Sequence, residues 1–189
     1  MLAKIITETT DAVVAAVQGV DDIMSAVSTT VKDQAVNLVQ NVGEVGGSTI
    51  DVAASIADGA VKGVGQVGGS IAGVAFSTVE NIVKGVSEVS GDVLGAVHGA
   101  AQGVVQGASD TGKDIGVAAV GAVEGAIKAA GDIGADTAEA AKAATSGTLD
   151  AATSIGGDAA QTVRDALLST AALPRDVIES AIKGSDDKK

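Results

Sequence analysis

The sequence predicts an all-α protein, built as one long amphipathic helix or several helices that pack side by side in an oligomeric assembly. Three observations predict this class. Residues 1–187 divide into seventeen 11-residue blocks without an insertion. The phrase VGGSTIDVAAS at 45–55 returns two blocks later as VGGSIAGVAFS at 67–77. The first, fifth and ninth positions of these blocks are nearly all aliphatic or Thr, and this spacing is helical.

The polar positions of the blocks support the helical interpretation. Ten of the seventeen blocks end in Asp or Glu, on the face opposite the aliphatic stripe. An acidic residue four positions before a Lys stabilises a helix by about 0.2–0.5 kcal/mol. The sequence offers four such pairs, which are Asp58–Lys62, Glu80–Lys84, Glu124–Lys128 and Glu179–Lys183. Because each block spans three helical turns, the hendecad pattern also predicts a slightly right-handed, coiled-coil-like packing of the helices.

The glycines indicate which edge of the helix packs closely. None of the 26 falls at the first, fifth or ninth position, and ten lie at the second and eighth positions beside the stripe. Because Gly in a helix costs about 1 kcal/mol relative to Ala, close packing must offset it. We therefore predict an assembly interface made of Ile23, Val27, Val31, Val45, Gly46, Ile56, Val64, Val67, Gly68, Ile71, Ile82, Val86, Val89, Val93, Val97, Val104, Ile115, Ile133, Ile155 and Gly156.

The sequence leaves two architectures open for the main repeat region, residues 1–172. A continuous helix over 2–172 would be about 255 Å long. Alternatively, the chain folds into antiparallel hairpins that turn at the Gly-rich stretches 43–47, 65–69 or 99–107. We favour long helices that associate between chains. Pro174 should end or kink the array near residue 172, because proline removes a backbone donor.

The carboxyl-terminal segment is expected to differ from the repeats. We predict a short helix within 173–184 that starts after Pro174, runs from Arg175 to Lys183 and ends at Gly184. Residues 185–189 read as a charged tail. The segment therefore closes the repeat region without continuing it.

Composition excludes several classes of partner. The net charge of −12 disfavours binding to nucleic acid and to anionic membranes. The chain has no Cys and no recognisable signal peptide. Its longest stretches without a charged residue, 63–79 and 93–109, are shorter than the roughly 20 apolar residues of a membrane-spanning helix. These features favour a cytoplasmic protein.

No motif in the sequence predicts catalysis. Gly63, Gly65 and Gly68 match GxGxxG, and 107–113 (GASDTGK) resembles a phosphate loop, but both lie within the helical repeat where no strand precedes them. His98 has no second His or Cys to complete a metal site. We predict that the chain is not an enzyme and has no catalytic, cofactor or metal site and no small-molecule substrate.

The stretch GAVEGAIKAAGDIGADTAEAAKAATSG at 121–147 resembles known 11-residue amphipathic helical repeats. In pattern it is similar to the repeats of perilipin-type lipid-droplet coats and of late-embryogenesis-abundant stress proteins. These resemblances imply coating of a lipid surface or protection during desiccation. Hendecad proteins that form right-handed helical bundles are a third resemblance.

Three functions remain open from the sequence. We expect a non-enzymatic structural protein, a homo-oligomer, that self-assembles through its Gly, Ala and Val faces into a bundle, sheet, tube or filament. The alternative is an amphipathic coat of lipid droplets or storage-polymer granules. The second alternative is a desiccation or stress protein.

Overall fold

A computed structural model describes residues 6–10, 23–40, 48–67 and 70–186. Apart from a helical turn at 6–10, the described residues form eight α-helices and no strand. The all-α class is therefore confirmed. The helices are α1 (Ile23–Gln40), α2 (Thr49–Val67), α3 (Ile71–Glu88), α4 (Val93–Asp110), α5 (Ile115–Ile133), α6 (Thr137–Ile155), α7 (Gly157–Ser169) and α8 (Arg175–Asp186).

The structural repeat is one helix and one turn. Helices α2 to α6 begin at Thr49, Ile71, Val93, Ile115 and Thr137, so each start lies two sequence blocks after the one before it. The favoured prediction of one or a few very long helices is wrong, since no described helix exceeds 19 residues. One helix and one short turn together span two 11-residue blocks, so the turn interrupts the helix while the 11-residue pattern of the sequence continues unchanged.

The predicted turn positions are only partly right. Helix α2 ends at Val67, inside the predicted stretch 65–69, and α3 starts at Ile71, while residues 68 and 69 lie outside the described part. Residues 43–47 lie outside the described part. The glycines of 99–107 are inside α4, where they contact a neighbouring helix and do not form a turn.

Capping side chains fix the beginnings of α2, α4, α5 and α6. Asp92, Asp114 and Asp136 each accept a hydrogen bond from a backbone N–H of the helix that follows. At α2, the backbone N–H of Asp51 donates to Ser48 Oγ at 3.2 Å, and the Ser48 N–H donates to Asp51 Oδ2 at 3.1 Å, which is a capping box. Such caps stabilise a helix by about 1 kcal/mol each.

The ends of α3, α4 and α5 share one geometry. Ser90, Gly112 and Gly134, which occupy the same position in successive repeats, have φ of 54°, 65° and 73°. In each case the next residue donates its N–H to a carbonyl near the end of the preceding helix, as Lys113 does to Ala108 at 2.8 Å. This is the left-handed C-terminal cap. Gly adopts it without a steric penalty, whereas Ser90 adopts it at a steric cost.

The helices pack in two layers. The most extensive contacts join helices two apart, so that α2, α4, α6 and α8 form one layer and α1, α3, α5 and α7 form the other. Short turns make consecutive helices antiparallel, and helices two apart are therefore parallel. Buried Ala, Val and a few larger side chains such as Ile56, Ile82 and Leu149 fill the space between the layers.

The carboxyl end departs from this regularity. Helix α7 ends at Ser169, and Pro174 immediately precedes α8. Helix α8 continues past Gly184, the predicted stop, to Asp186, while residues 187–189 lie outside the described part. Helix α8 packs mainly on α6 through its buried residues Ile178, Ala181 and Ile182.

Candidate functional site

The most distinctive surface in the fold is the contact between α2 and α4. Gly99, Gly103 and Gly107 lie one helical turn apart on one face of α4. A Cβ placed on Gly99 or Gly103 would overlap the carbonyl oxygen of Ile50 or Ala54, and on Gly107 it would lie 2.9 Å from that of Asp58. The Cα hydrogen of each glycine therefore points at a carbonyl of α2, a contact worth about 0.5–1 kcal/mol.

The same contact recurs along both layers. In α5, Gly121 and Gly125 face the carbonyls of Ala72 and Phe76 in α3, and in α6 Gly147 faces that of His98 in α4. All six pairs have the same separation in sequence between the carbonyl and the glycine. We call this contact the glycine–carbonyl ridge. Its constant offset means that α4, α5 and α6 each sit in one fixed register on the helix two before them.

The first described residues belong to the same layer as α2. A Cβ on Gly59 would lie 2.7 Å from the carbonyl oxygen of Ile6, and Thr10 Oγ1 donates to the Gly59 carbonyl at 3.1 Å. The helical turn 6–10 thus packs against α2, but Ile6 lies four residues further back in the sequence from its glycine than the carbonyl residues of the ridge do. It is the first described member of that layer.

The predicted interface residues lie largely inside the chain. Seven of them are at most 2 % exposed and pack against other helices of the same chain, namely Val31, Ile56, Val64, Ile82, Val86, Val97 and Val104. Five are half-buried near helix ends, namely Ile71, Val89, Val93, Ile115 and Ile133. The structure thus brings these side chains together, but within one molecule.

The remaining predicted residues are placed differently. Ile155 is exposed at the end of α6, and Gly156 forms the junction between α6 and α7. Gly156 is therefore part of a helix junction and not of a packed helical edge. Val45, Gly46 and Gly68, together with the side chains of Ile23, Val27 and Val67, lie outside the described part.

Charged side chains cross between helices beside the ridge. Lys62 on α2 contacts Asp58 on its own helix and Asp110 on α4, at 2.8 Å each. One repeat later, Lys84 on α3 contacts Glu80 and Asp132 at 2.7 Å each. The predicted pairs Asp58–Lys62 and Glu80–Lys84 are confirmed. Each Lys also neutralises an acid in the last turn of a helix, where the helix dipole disfavours negative charge.

The other two predicted pairs form with different partners. Lys128 pairs with Asp132, and Glu179 accepts a hydrogen bond from Arg175 at 2.9 Å. The hydrogen bond from Lys128, followed by that from Lys84, holds the pKa of Asp132 below its usual value. A spacing of four residues lets Lys128 pair with either Glu124 or Asp132, and lets Glu179 pair with either Arg175 or Lys183. The sequence does not indicate that Lys84 contacts Asp132 on another helix.

Asp58 is the most unusual ionisable group of this network. It is only 5 % exposed, and its Oδ1 is buried without a hydrogen-bond partner, while Oδ2 accepts from Lys62. Burial raises the pKa of the Asp58 carboxyl above its usual value, and the interaction with Lys62 offsets this only in part. The hydrogen bond from Lys62 lowers the pKa of Asp110.

The motifs that resembled phosphate sites have structural roles. Gly63 and Gly65 lie within α2, and Gly68 lies outside the described part. The stretch 107–113 covers the end of α4 and the following turn, in which Gly112 is the left-handed cap. His98 Nε2 lies 3.4 Å from Asp150 Oδ2, between α4 and α6.

The described residues offer neither a metal site nor a membrane span. They contain no group of three or more His, Cys, Asp or Glu side chains placed to hold a metal ion. Their helices are also not long and apolar enough to cross a bilayer.

The chain resembles a solved helical repeat structure. It superposes on the crystal structure of a de novo designed helical repeat protein, DHR7, with a TM-score of 0.53 and 13 % sequence identity, over 98 % of this chain and 97 % of that one. This likeness establishes a helical repeat fold. No protein-family model and no curated protein matches the sequence.

Proposed function

We propose that the chain is a non-enzymatic structural protein, a helical repeat scaffold that associates with further copies of itself. The observation that carries this proposal is the glycine–carbonyl ridge, which joins helices two apart in one register from α2 through α6. A contact that repeats with a fixed translation can continue beyond one chain, because each repeat needs only its neighbours.

The mode of association differs from the one the sequence favours. Side chains such as Ile56, Ile82 and Val97 are fully buried in the folded chain, so lateral association through them would require the helices to separate. Association at the ends of the layers leaves the core intact. We therefore propose end-to-end contact between folded copies, which would extend the array as a short stack or filament.

Size-exclusion chromatography with light scattering tests this function. We expect the mass to rise reversibly with protein concentration between about 1 μM and about 1 mM, the range that corresponds to association free energies of roughly −8 to −4 kcal/mol. Circular dichroism of the same samples should show unchanged helicity, since folded copies associate. A constant monomer mass across this range would contradict self-association of the full chain.

The perilipin-like coat is the second candidate, and the amphipathic character of each helix favours it. In this function the two layers would open and lay their apolar faces on lipid. Circular dichroism in plain buffer separates the candidates. A chain that is coil in buffer and becomes helical only with lipid vesicles supports the coat, and one that becomes helical only on drying supports the stress protein.

A further inference from the structure

A pocket of about 160 Å³ lies between α2 and α4, beside the glycine–carbonyl ridge. It is lined by Ala54, Ser55 and Asp58 of α2 and by Gln102, Gly103 and Gln106 of α4, and the helical turn 6–10 borders it. Ser55 and Asp58 are buried, whereas Gln102 and Gln106 are half-buried. Polar groups therefore line both the inner and the outer part of the pocket.

Equivalent positions in the next two repeats carry aromatic rings. Ala54 in α2, Phe76 in α3 and His98 in α4 are 22 residues apart, and the carbonyl of each contacts a ridge glycine. The ring of His98 reaches from α4 to α6, where its Nε2 lies 3.4 Å from Asp150 Oδ2. Gln106 is the equivalent of Asp150 on α4. The pocket therefore occupies, between α2 and α4, the place that the His98 ring takes between α4 and α6.

The pocket is large enough for such a ring. A cavity of about 150 Å³ left by a truncated side chain in another protein binds benzene. The present pocket, at about 160 Å³, is no smaller, and Ala54 and Gly103 give it small apolar walls. A planar ring supplied from solution could thus take the position that Ala54 leaves open.

The charges around the pocket favour a cation. Asp58 and Asp110 share Lys62, so these three side chains carry one net negative charge when all are ionised. Asp58 is 5 % exposed, and its Oδ1 has no hydrogen-bond partner. In the neighbouring groove a ring that can be protonated, His98, already lies beside the acid Asp150. A ring with a positive charge and N–H donors would offset the excess charge and offer a donor to Asp58.

We infer that the pocket between α2 and α4 binds a small planar aromatic cation of the imidazolium type, with its ring between Ala54 and Gly103 and an N–H donor toward Asp58. This inference does not rest on the proposed self-association, because the pocket lies within one chain. The sequence predicts no small-molecule partner, since an alanine at one position of the repeat has no chemical signature. The ring-bearing positions 76 and 98 reveal its meaning once the helices are in place.

The test titrates imidazole into the full chain at about pH 6, where an imidazole ring is largely protonated. We expect saturable shifts in a proton–nitrogen correlation spectrum, centred on the backbone amides of Ser55, Gln102 and Gly103, with a dissociation constant on the order of 1 mM. Pyrazole has the same size but stays neutral at this pH. It should bind about tenfold more weakly, because it lacks the charge.

Three variants locate the site. Ala54→Phe fills the pocket with the side chain that the equivalent position 76 carries, and it should abolish the shifts. Ala138→Phe adds the same ring at an exposed position of α6 and is the matched control, which should bind as wild type does. Asp58→Asn keeps the shape of the pocket and removes the charge, so imidazole should bind about tenfold more weakly while pyrazole is unaffected. Circular dichroism checks that each variant is folded.

Several results would overturn the inference. It fails if wild type shows no shift up to about 100 mM imidazole, far above the expected constant. It also fails if the shifts persist in folded A54F or map away from α2 and α4. If A54F does not fold, the map of wild-type shifts and the D58N variant decide. Equal binding of imidazole and pyrazole, with no effect of D58N, would overturn recognition of a cation. Self-association is measured separately by light scattering, so none of these results bears on it.

Discussion

Adding one methyl group to the ridge should destabilise the fold even though it improves helix propensity. Gly103→Ala places a Cβ against the Ala54 carbonyl, which is backbone and cannot move alone, so α4 must shift away from α2. Overpacking of this kind costs about 3 kcal/mol at the upper end of its range. The higher helix propensity of Ala returns about 1 kcal/mol. We expect a net loss of about 2 kcal/mol.

Gly131→Ala is the matched control. Gly131 is exposed on α5, and its built Cβ meets only the Thr137 methyl group, at 3.8 Å. This variant should therefore gain about 1 kcal/mol from propensity alone. Urea unfolding followed by circular dichroism gives both values. If G103A is stabilised as G131A is, the close approach of α2 and α4 is refuted.

Three further predictions concern charge and backbone. Lys62→Met leaves the buried Asp58 without its cation and should cost about 3 kcal/mol. Lys84→Met should cost far less, because its partner Glu80 is more exposed than Asp58, and urea unfolding at pH 7 measures both values. Folding raises the pKa of Asp58 above 3.8, so the protonated carboxyl favours the folded state. This contribution to the free energy of unfolding is complete below pH 3.8 and is lost as the pH rises through the folded pKa. Asp58→Asn should therefore become more stable relative to wild type between pH 4 and pH 7, and a difference that is constant with pH would contradict this. Ser90→Gly relieves a left-handed φ of 54° and should raise the free energy of unfolding by about 1 kcal/mol, whereas Ser87→Gly, inside α3, should lower it.

The sequence predicts the helical class correctly because it follows from which residues are aliphatic. The structural repeat is one helix and one turn over two blocks, a unit that the 11-residue pattern does not define. Ile56, Ile82 and Val97, which the sequence pattern assigns to an interface between chains, are buried inside the folded chain. Their partners are helices of the same chain, and apolar periodicity alone does not distinguish these from helices of another copy.

The sequence pattern does not locate the turns that precede α7, because they contain no proline and do not interrupt the 11-residue repeat. A signal for them is nevertheless present in the sequence. The caps Asp92, Asp114 and Asp136 recur in step with the helices, each shortly after one of Ser90, Gly112 and Gly134. The glycines therefore serve two purposes, one at helix ends and one on the ridge. The predicted glycine edge is wrong, because five of the six ridge glycines fall at the fourth or eleventh block position, whereas Gly112, Gly134 and Gly156, at the second position, lie at helix ends. The register of the ridge depends on three-dimensional packing that the sequence does not display.

The distance between α2 and α4 is the most direct test of the two-layer fold. The chain has no cysteine, so spin labels can be placed at Ile50→Cys and Leu94→Cys, two exposed positions that are equivalent on these helices. Adjacent parallel helices with axes about 8–10 Å apart predict a label separation below about 20 Å by electron paramagnetic resonance. A separation of roughly 66 Å, which follows from a rise of about 1.5 Å for each intervening residue, would show a continuous helix and contradict the two-layer fold.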